Sequence, residues 1–209
     1  MLSSWLPDTE RDALRACRRA RQPYAGAGIA REAIASFDWA TLDRVLASDP
    51  APDTLVIQKA ELLEVPAPRS ADAVRKLFPS GIGIVVRRAE RHDRGLASLA
   101  SAFEAEHGGT AHIQLFVTPG GAHGFGWHYD AEDVFILQTA GEKSYYFRAN
   151  TQRPSLGKGE APDFGKIKQE TSPTQTCTLL AGDALYVPRG MWHVARARSD
   201  SLHISLGLR

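Results

Sequence analysis

The spacing of apolar positions divides the chain near residue 109. Before it, hydrophobic residues recur at helical intervals. "PDTERDALRACRRARQP" (7–23) carries early acids, late arginines, Asp8 or Thr9 as N-cap and a closing Pro23, which predicts one amphipathic helix. "FDWATLDRVLASD" (37–49) predicts a second, with Trp39, Leu42, Val45 and Leu46 on one face. "RSADAVRKLF" (69–78) and "RGLASLASAFEAEHGG" (94–109) predict two more, the last closed by Gly108 and Gly109. Beyond Gly108 the texture changes to short runs rich in β-branched and aromatic residues: "TAHIQLFVTP" (110–119), "DVFILQTA" (133–140), "KSYYFRA" (143–149), "TQTCTLL" (174–180), "DALYVP" (183–188), "WHVARAR" (192–198) and "SLHISLGL" (201–208). Closely spaced strands without intervening helices predict a sandwich or barrel, not βαβ units. The fold class expected is therefore mainly β with N-terminal helices. Residues 1–109 form an α-rich region with a few strands packed on the barrel, and residues 110–209 form the core of what is one domain overall. The polar stretch 150–175, with glycines and prolines and no sustained period, reads as a mobile lid over the barrel mouth or as an insertion.

Composition narrows the function classes. In 209 residues, Lys plus Arg is 25 and Asp plus Glu is 24, so no global field recruits nucleic acid or an anionic membrane. The two cysteines, Cys17 and Cys177, are far apart and outside any C-x-x-C, which fits buried thiols in a reducing compartment. Asp8 and Glu10 interrupt any N-terminal apolar segment, and a cytoplasmic location is expected. Oligomeric state is not readable from these features.

The chemistry concentrates at "GFGWHYDAEDVFILQTAGEKSYYF" (124–147). Side chains two apart on a strand share a face about 7 Å apart, so His128 and Asp130 can point into a barrel together while Tyr129 points away. His193, after the Gly-Asp turn and the run ending at Pro188, can open a strand passing the same end. Two imidazoles and one carboxylate on one side of an ion leave positions open, the facial arrangement of non-haem Fe(II) oxygenases. A lone H-x-D is also a common surface polar pair. Lys143 begins a strand whose inward set is Lys143, Tyr145 and Phe147. A buried ammonium needs an anion, and a dicarboxylate that chelates iron at one end and meets Lys143 at the other supplies it.

"TPGGAHGFGWHYDAEDVFILQTAGEK" resembles the core of the JmjC-type, cupin-fold 2-oxoglutarate oxygenases, and among them the ribosomal oxygenases: T-P-x-G, then H-Y-D, V-F-I-L-Q and G-x-K. "GDALYVPRGMWH" (182–193) is similar to their second segment, G-D-x-L-Y-x-P-x-G-x-x-H. The resemblance implies a double-stranded β-helix, the jelly-roll or cupin barrel, with Fe(II) at His128, Asp130 and His193 and the distal carboxylate of 2-oxoglutarate at Lys143. It also implies that Gln114 and Ser205 lie near the cosubstrate and that Tyr145 stands where those proteins usually have Trp. The activity implied uses O2 to hydroxylate a C–H bond of a protein or peptide side chain, or of an amino-acid-like metabolite, releasing succinate and CO2. Demethylation of N-methyl-lysine is a variant of the same chemistry. Those relatives continue into a helical dimerisation region and a winged-helix domain, without counterpart before Arg209, so the resemblance carries over no substrate. Two other readings stay open: a metal-dependent cupin isomerase or dioxygenase that does not use 2-oxoglutarate, and a JmjC-like interaction module without catalysis.

Overall fold

A computed structural model describes residue 6, residues 8–151 and residues 164–209. Four α-helices occur where the apolar periodicity predicts them: α1 (Asp8–Ala20), α2 (Trp39–Ala47), α3 (Ala71–Arg75) and α4 (Arg94–His107). Asp38 and Asp93 cap α2 and α4, each carboxylate accepting two backbone N–H groups that the first turn leaves without partners. Helix α1 already includes Asp8, so this acid lies in its first turn and does not cap it. Helix α3 is shorter than the predicted 69–78, because Pro79 disfavours helical backbone at Phe78 and a 3₁₀ turn, Phe78–Ser80, takes over.

All seven predicted runs form strands: β5 (Ala111–Thr118), β6 (Asp133–Ala140), β7 (Lys143–Arg148), β8 (Gln175–Leu179), β9 (Ala184–Val187), β10 (Trp192–Ala197) and β11 (Ser201–Leu208). Four more come from the first half: β1 (Tyr24–Gly26), β2 (Asp53–Gln58), β3 (Glu61–Leu63) and β4 (Ile82–Arg87). They extend an eight-stranded antiparallel sheet, ordered β1-β9-β6-β11-β5-β4-β2-β3, over which a three-stranded sheet, β10-β7-β8, is folded. One face of the large sheet, through Ile84, Val86, Ile113, Leu115, Val117, Leu137 and Ile204, shares a core with Leu14 of α1, Leu42 and Leu46 of α2 and Leu96, Leu99 and Phe103 of α4. Its other face meets the small sheet through a second cluster, which includes Val134, Ile136, Tyr145, Phe147, Leu179 and Met191. This is the jelly-roll architecture expected.

Register sets what this inner face presents. Arg87 of β4 stands opposite Gln114 of β5, Gln114 opposite Ser205 of β11, and Ser205 opposite Ile136 of β6. Two residues along, Val85, Phe116 and His203 form the next row, and Thr118 and Ser201 the row beyond. Because side chains alternate with period two, these rows share one face and mark successive depths of the barrel.

The turn from β6 to β7 decides where Lys143 starts. Gly141 has φ of 73°, and a Cβ there meets the carbonyl oxygen of Asp200 at 2.1 Å. Gly141→Ala is expected to destabilise the fold by about 2 kcal/mol or more, through left-handed backbone strain and the clash together; chemical denaturation with an unchanged m-value checks this. Cys17 and Cys177 are free thiols, half-buried where full burial was expected. Residues 152–163, the middle of the stretch expected to act as a lid, lie outside the described residues. Among the described residues, no helix is long and apolar enough to cross a membrane.

Candidate metal centre and cosubstrate cavity

Residues 128–130 are not a strand, contrary to expectation. They lie in the connection before β6, tied to the start of β10 by a single antiparallel bridge in which His128 N–H donates to His193 O (3.1 Å) and His193 N–H to His128 O (2.8 Å). Gly190 N–H adds a bond to Asp130 O at 2.8 Å. The alternation still holds: Tyr129 turns away from the cavity and packs, buried, edge-on against Trp192 at 4.7 Å between ring centroids. The bridge therefore places His128 and His193 directly opposite each other, with centroids 4.2 Å apart, and brings Asp130 Oδ2 to 3.4 Å from His193 Nε2. One ligand atom from each of the three residues lies within 4.8 Å of the others.

Each imidazole is oriented in the same way. His128 Nδ1 lies 2.8 Å from Gly126 O, and His193 Nδ1 lies 3.1 Å from Met191 O. A carbonyl accepts only from N–H, so Nδ1 carries the proton in both rings and Nε2 is the nitrogen able to ligate an ion. Burial, followed by the neighbouring His128, lowers the pKa of His193 to about 4, which keeps it neutral and able to ligate. This donor set fits one divalent first-row metal.

The triad opens into a cavity of about 300 Å³ that also contains Lys143, Tyr145, Gln114, Ser205, Phe116 and His203. All of the residues singled out in the sequence thus face one space. Lys143 is 2% exposed. Its Nζ donates to Thr118 Oγ1 at 2.9 Å and lies 5.9 Å from the Phe116 ring centroid, with no acid partner among the described residues. Burial alone lowers its pKa to about 7. Tyr145 Oη and His203 Nδ1 are buried beside it without hydrogen-bond partners. Burial pushes the Tyr145 phenol up, and burial plus the Lys143 charge pushes His203 down, so both are neutral. Buried polar atoms are normally satisfied, and the Tyr145 hydroxyl can donate, as can the His203 nitrogen in one of its neutral tautomers, so the pair suits an acceptor-rich anion beside Lys143. Thr118 was missed in the sequence, although it shares the alternation of β5 with Gln114.

At the other end, Glu132 is held by His112 Nε2 (3.0 Å) and Arg209 Nε (2.8 Å). Burial opposes its ionisation, but those two partners prevail and keep its pKa low. Gly207 leaves room for this cluster, since a Cβ there meets Glu132 Oε1 at 2.3 Å.

A jelly roll with a facial His-Asp-His site and a buried lysine defines the class of non-haem metal oxygenase folds. The JmjC domain model matches residues 91–209, more than half of the chain, and the chain belongs to that family. It is 33% identical over 136 residues to the bifunctional lysine-specific demethylase and histidyl-hydroxylase NO66 of Dictyostelium discoideum, covering 64% of this chain and 26% of that protein. To ribosomal oxygenase 1 of Danio rerio it is 26% identical over 180 residues, covering 81% of this chain and 33% of that one. Among solved structures, Escherichia coli ycfD superposes with a TM-score of 0.73 at 18% identity, over 100% of this chain and 54% of that one. A complex of YcfD with cobalt and 2-oxoglutarate gives 0.70 at 18% identity, over 98% of this chain and 52% of that one. The chain thus spans about a quarter to a third of these curated relatives and about half of the solved chains.

Proposed function

We propose that the protein is an Fe(II)- and 2-oxoglutarate-dependent hydroxylase acting on a C–H bond of a protein or peptide side chain, or of an amino-acid-like metabolite. The observation that carries this reading is the pairing, in one cavity, of a three-ligand site with a buried lysine that has no counter-ion among the described residues. Names of relatives that include ribosomal oxygenase and histidyl-hydroxylase support it.

His128, Asp130 and His193, whose ligand atoms lie together, would hold the iron. Bound there, Fe(II) supplies the activation of O2 that couples oxidation of 2-oxoglutarate, to succinate and CO2, with hydroxylation of substrate. The residues around it position and shield. Lys143 donates to the distal carboxylate, with Thr118 and Tyr145 within the same deep end of the barrel. Gln114 and Ser205, opposite one another in register, lie two rows nearer the mouth than Thr118, about 13 Å along the strand. In this reading both lie near the cosubstrate. Val134, Ile136 and Phe116 line the space between and keep water from the reacting atoms.

A cupin isomerase does not require this anion-seeking floor, and an inert barrel has nothing to offset the burial of Lys143. Release of succinate from 2-oxoglutarate, measured with and without Fe(II), tests the reading: iron-dependent succinate is expected, and none under any metal condition overturns it.

The lysine predicts a pH dependence. Without cosubstrate Lys143 has a pKa near 7, and a bound carboxylate raises it, so binding above pH 7 takes up one proton. Affinity for 2-oxoglutarate is expected to be highest below pH 7 and to fall by up to about tenfold per unit above it. Calorimetric titration of Mn(II)-loaded protein between pH 6 and 8.5 checks the slope, which Lys143→Arg is expected to flatten, since guanidinium stays protonated.

A further inference from the structure

We propose that Arg87 receives the substrate to be oxidised, by donating hydrogen bonds to an acceptor oxygen of its aminoacyl frame, either the main-chain carbonyl of a peptide or the carboxylate of a free amino acid. The inference deepens the hydroxylase reading and rests on it. The cavity has two ends. Its floor, at Lys143, Tyr145 and His203, with Thr118 bonded to the lysine, suits the cosubstrate. Its opposite end is lined by Leu55, Arg87, Gln114, Gly124 and Phe125.

Arg87 occupies the same row of the inner face as Gln114 and Ser205, on the next strand outward. Across β2 it faces Asp53, whose Oδ2 takes Arg87 Nη2 at 2.5 Å. Asp53 stands outside the cavity lining, and its contact takes one guanidinium nitrogen of Arg87, which leaves further N–H groups for the cavity. The pair is about half exposed, which leaves it accessible.

Charge singles out this residue. In the loaded centre the divalent metal, Asp130, the cosubstrate dianion and Lys143 sum to zero. Glu132, on the other flank, is closed by His112 and Arg209 in space that only Gly207 permits. Arg87 is then the cation at the mouth, among the described residues lining the cavity, with donors left over. Leu55 and Phe125 give apolar walls for a side-chain stem, and Gln114, whose amide makes no hydrogen bond among the described residues, is the next polar contact inward. Guanidinium with a free edge is suited to planar oxygen acceptors.

The test uses full-length protein loaded with Zn(II) and 2-oxoglutarate, which is diamagnetic and does not turn over. The probes are two panels: the free L-amino acids and their N-acetyl, N′-methylamide derivatives. The Arg87 Nε–Hε resonance, assigned by its loss in Arg87→Gln, is followed during titration. At least one probe is expected to shift it saturably, and Arg87→Gln is expected to weaken that probe tenfold or more while 2-oxoglutarate affinity is unchanged. Binding confined to free amino acids identifies a carboxylate, and binding of the blocked derivatives identifies a main-chain carbonyl. Probes that bind without moving the resonance or with equal affinity in the variant, or a failure of both panels to bind, overturn the assignment. Failure of 2-oxoglutarate itself to bind, visible before any probe is added, removes the hydroxylase reading and this inference with it.

Discussion

Asp130→Ala is expected to abolish metal-dependent turnover of 2-oxoglutarate. Asp130 is the only anion in the donor set, and its carboxylate is what separates this site from two neighbouring imidazoles. His128 and His193 remain aligned in the variant, because their orientation comes from backbone: the bridge between them and the carbonyls of Gly126 and Met191. The fold is therefore expected to survive and the ion to be lost. Loss of an outer partner of a ligand already lowers metal affinity by about ten- to a hundredfold, and loss of a ligand is expected to exceed about a hundredfold. Competition of Mn(II) against a chromophoric chelator measures this without reference to activity. Affinity within a few-fold of the parent protein would remove Asp130 from the metal.

Lys143→Ala is expected to raise the apparent KM for 2-oxoglutarate about ten- to two-hundredfold, corresponding to about 1.5–3 kcal/mol for a charge-assisted hydrogen bond, with metal affinity unchanged. The stability of the protein provides a second signature. A buried ammonium whose one hydrogen-bond partner among the described residues is the Thr118 hydroxyl is poorly compensated, so Lys143→Met, which keeps most of the volume, is expected to be at least as stable as the parent without cosubstrate. Adding 2-oxoglutarate and Mn(II) is expected to raise the Tm of the parent and to leave that of the variant nearly where metal alone puts it. An equal cosubstrate-induced rise in both proteins would make Lys143 structural.

Much of this architecture is legible in the chain because the strands are short runs rich in β-branched and aromatic residues between Gly, Pro and Asp, with β5 and β11 also alternating apolar and polar positions. The runs from β5 to β11 stand out where helical spacing gives way to these short β-rich runs, and the shared inward placement of Lys143 and Tyr145 follows from the period of two along a strand. The edge strands β1 and β3 are three residues each, too short to show a period. Residues 128–130 kept the orientation expected of a strand without being one, since a single bridge to His193 is enough to impose extended backbone. Pairing across long separations is what the sequence does not display: Gln114 and Ser205 were each expected near the cosubstrate, but their facing positions, and Arg87 beside them, depend on registers between distant strands. The unsatisfied polar atoms at Tyr145 and His203 are equally invisible, because satisfaction is a property of the packed interior.

The central claim is that one ion and one dicarboxylate share the cavity between His128, Asp130, His193 and Lys143. Anomalous diffraction from crystals grown with Mn(II) and 2-oxoglutarate tests it most directly. The account predicts a single strong peak within bonding distance of Nε2 of both histidines and a carboxylate oxygen of Asp130, with 2-oxoglutarate density running from that peak to Lys143 Nζ. A peak elsewhere, or cosubstrate density that does not reach Lys143, would contradict it.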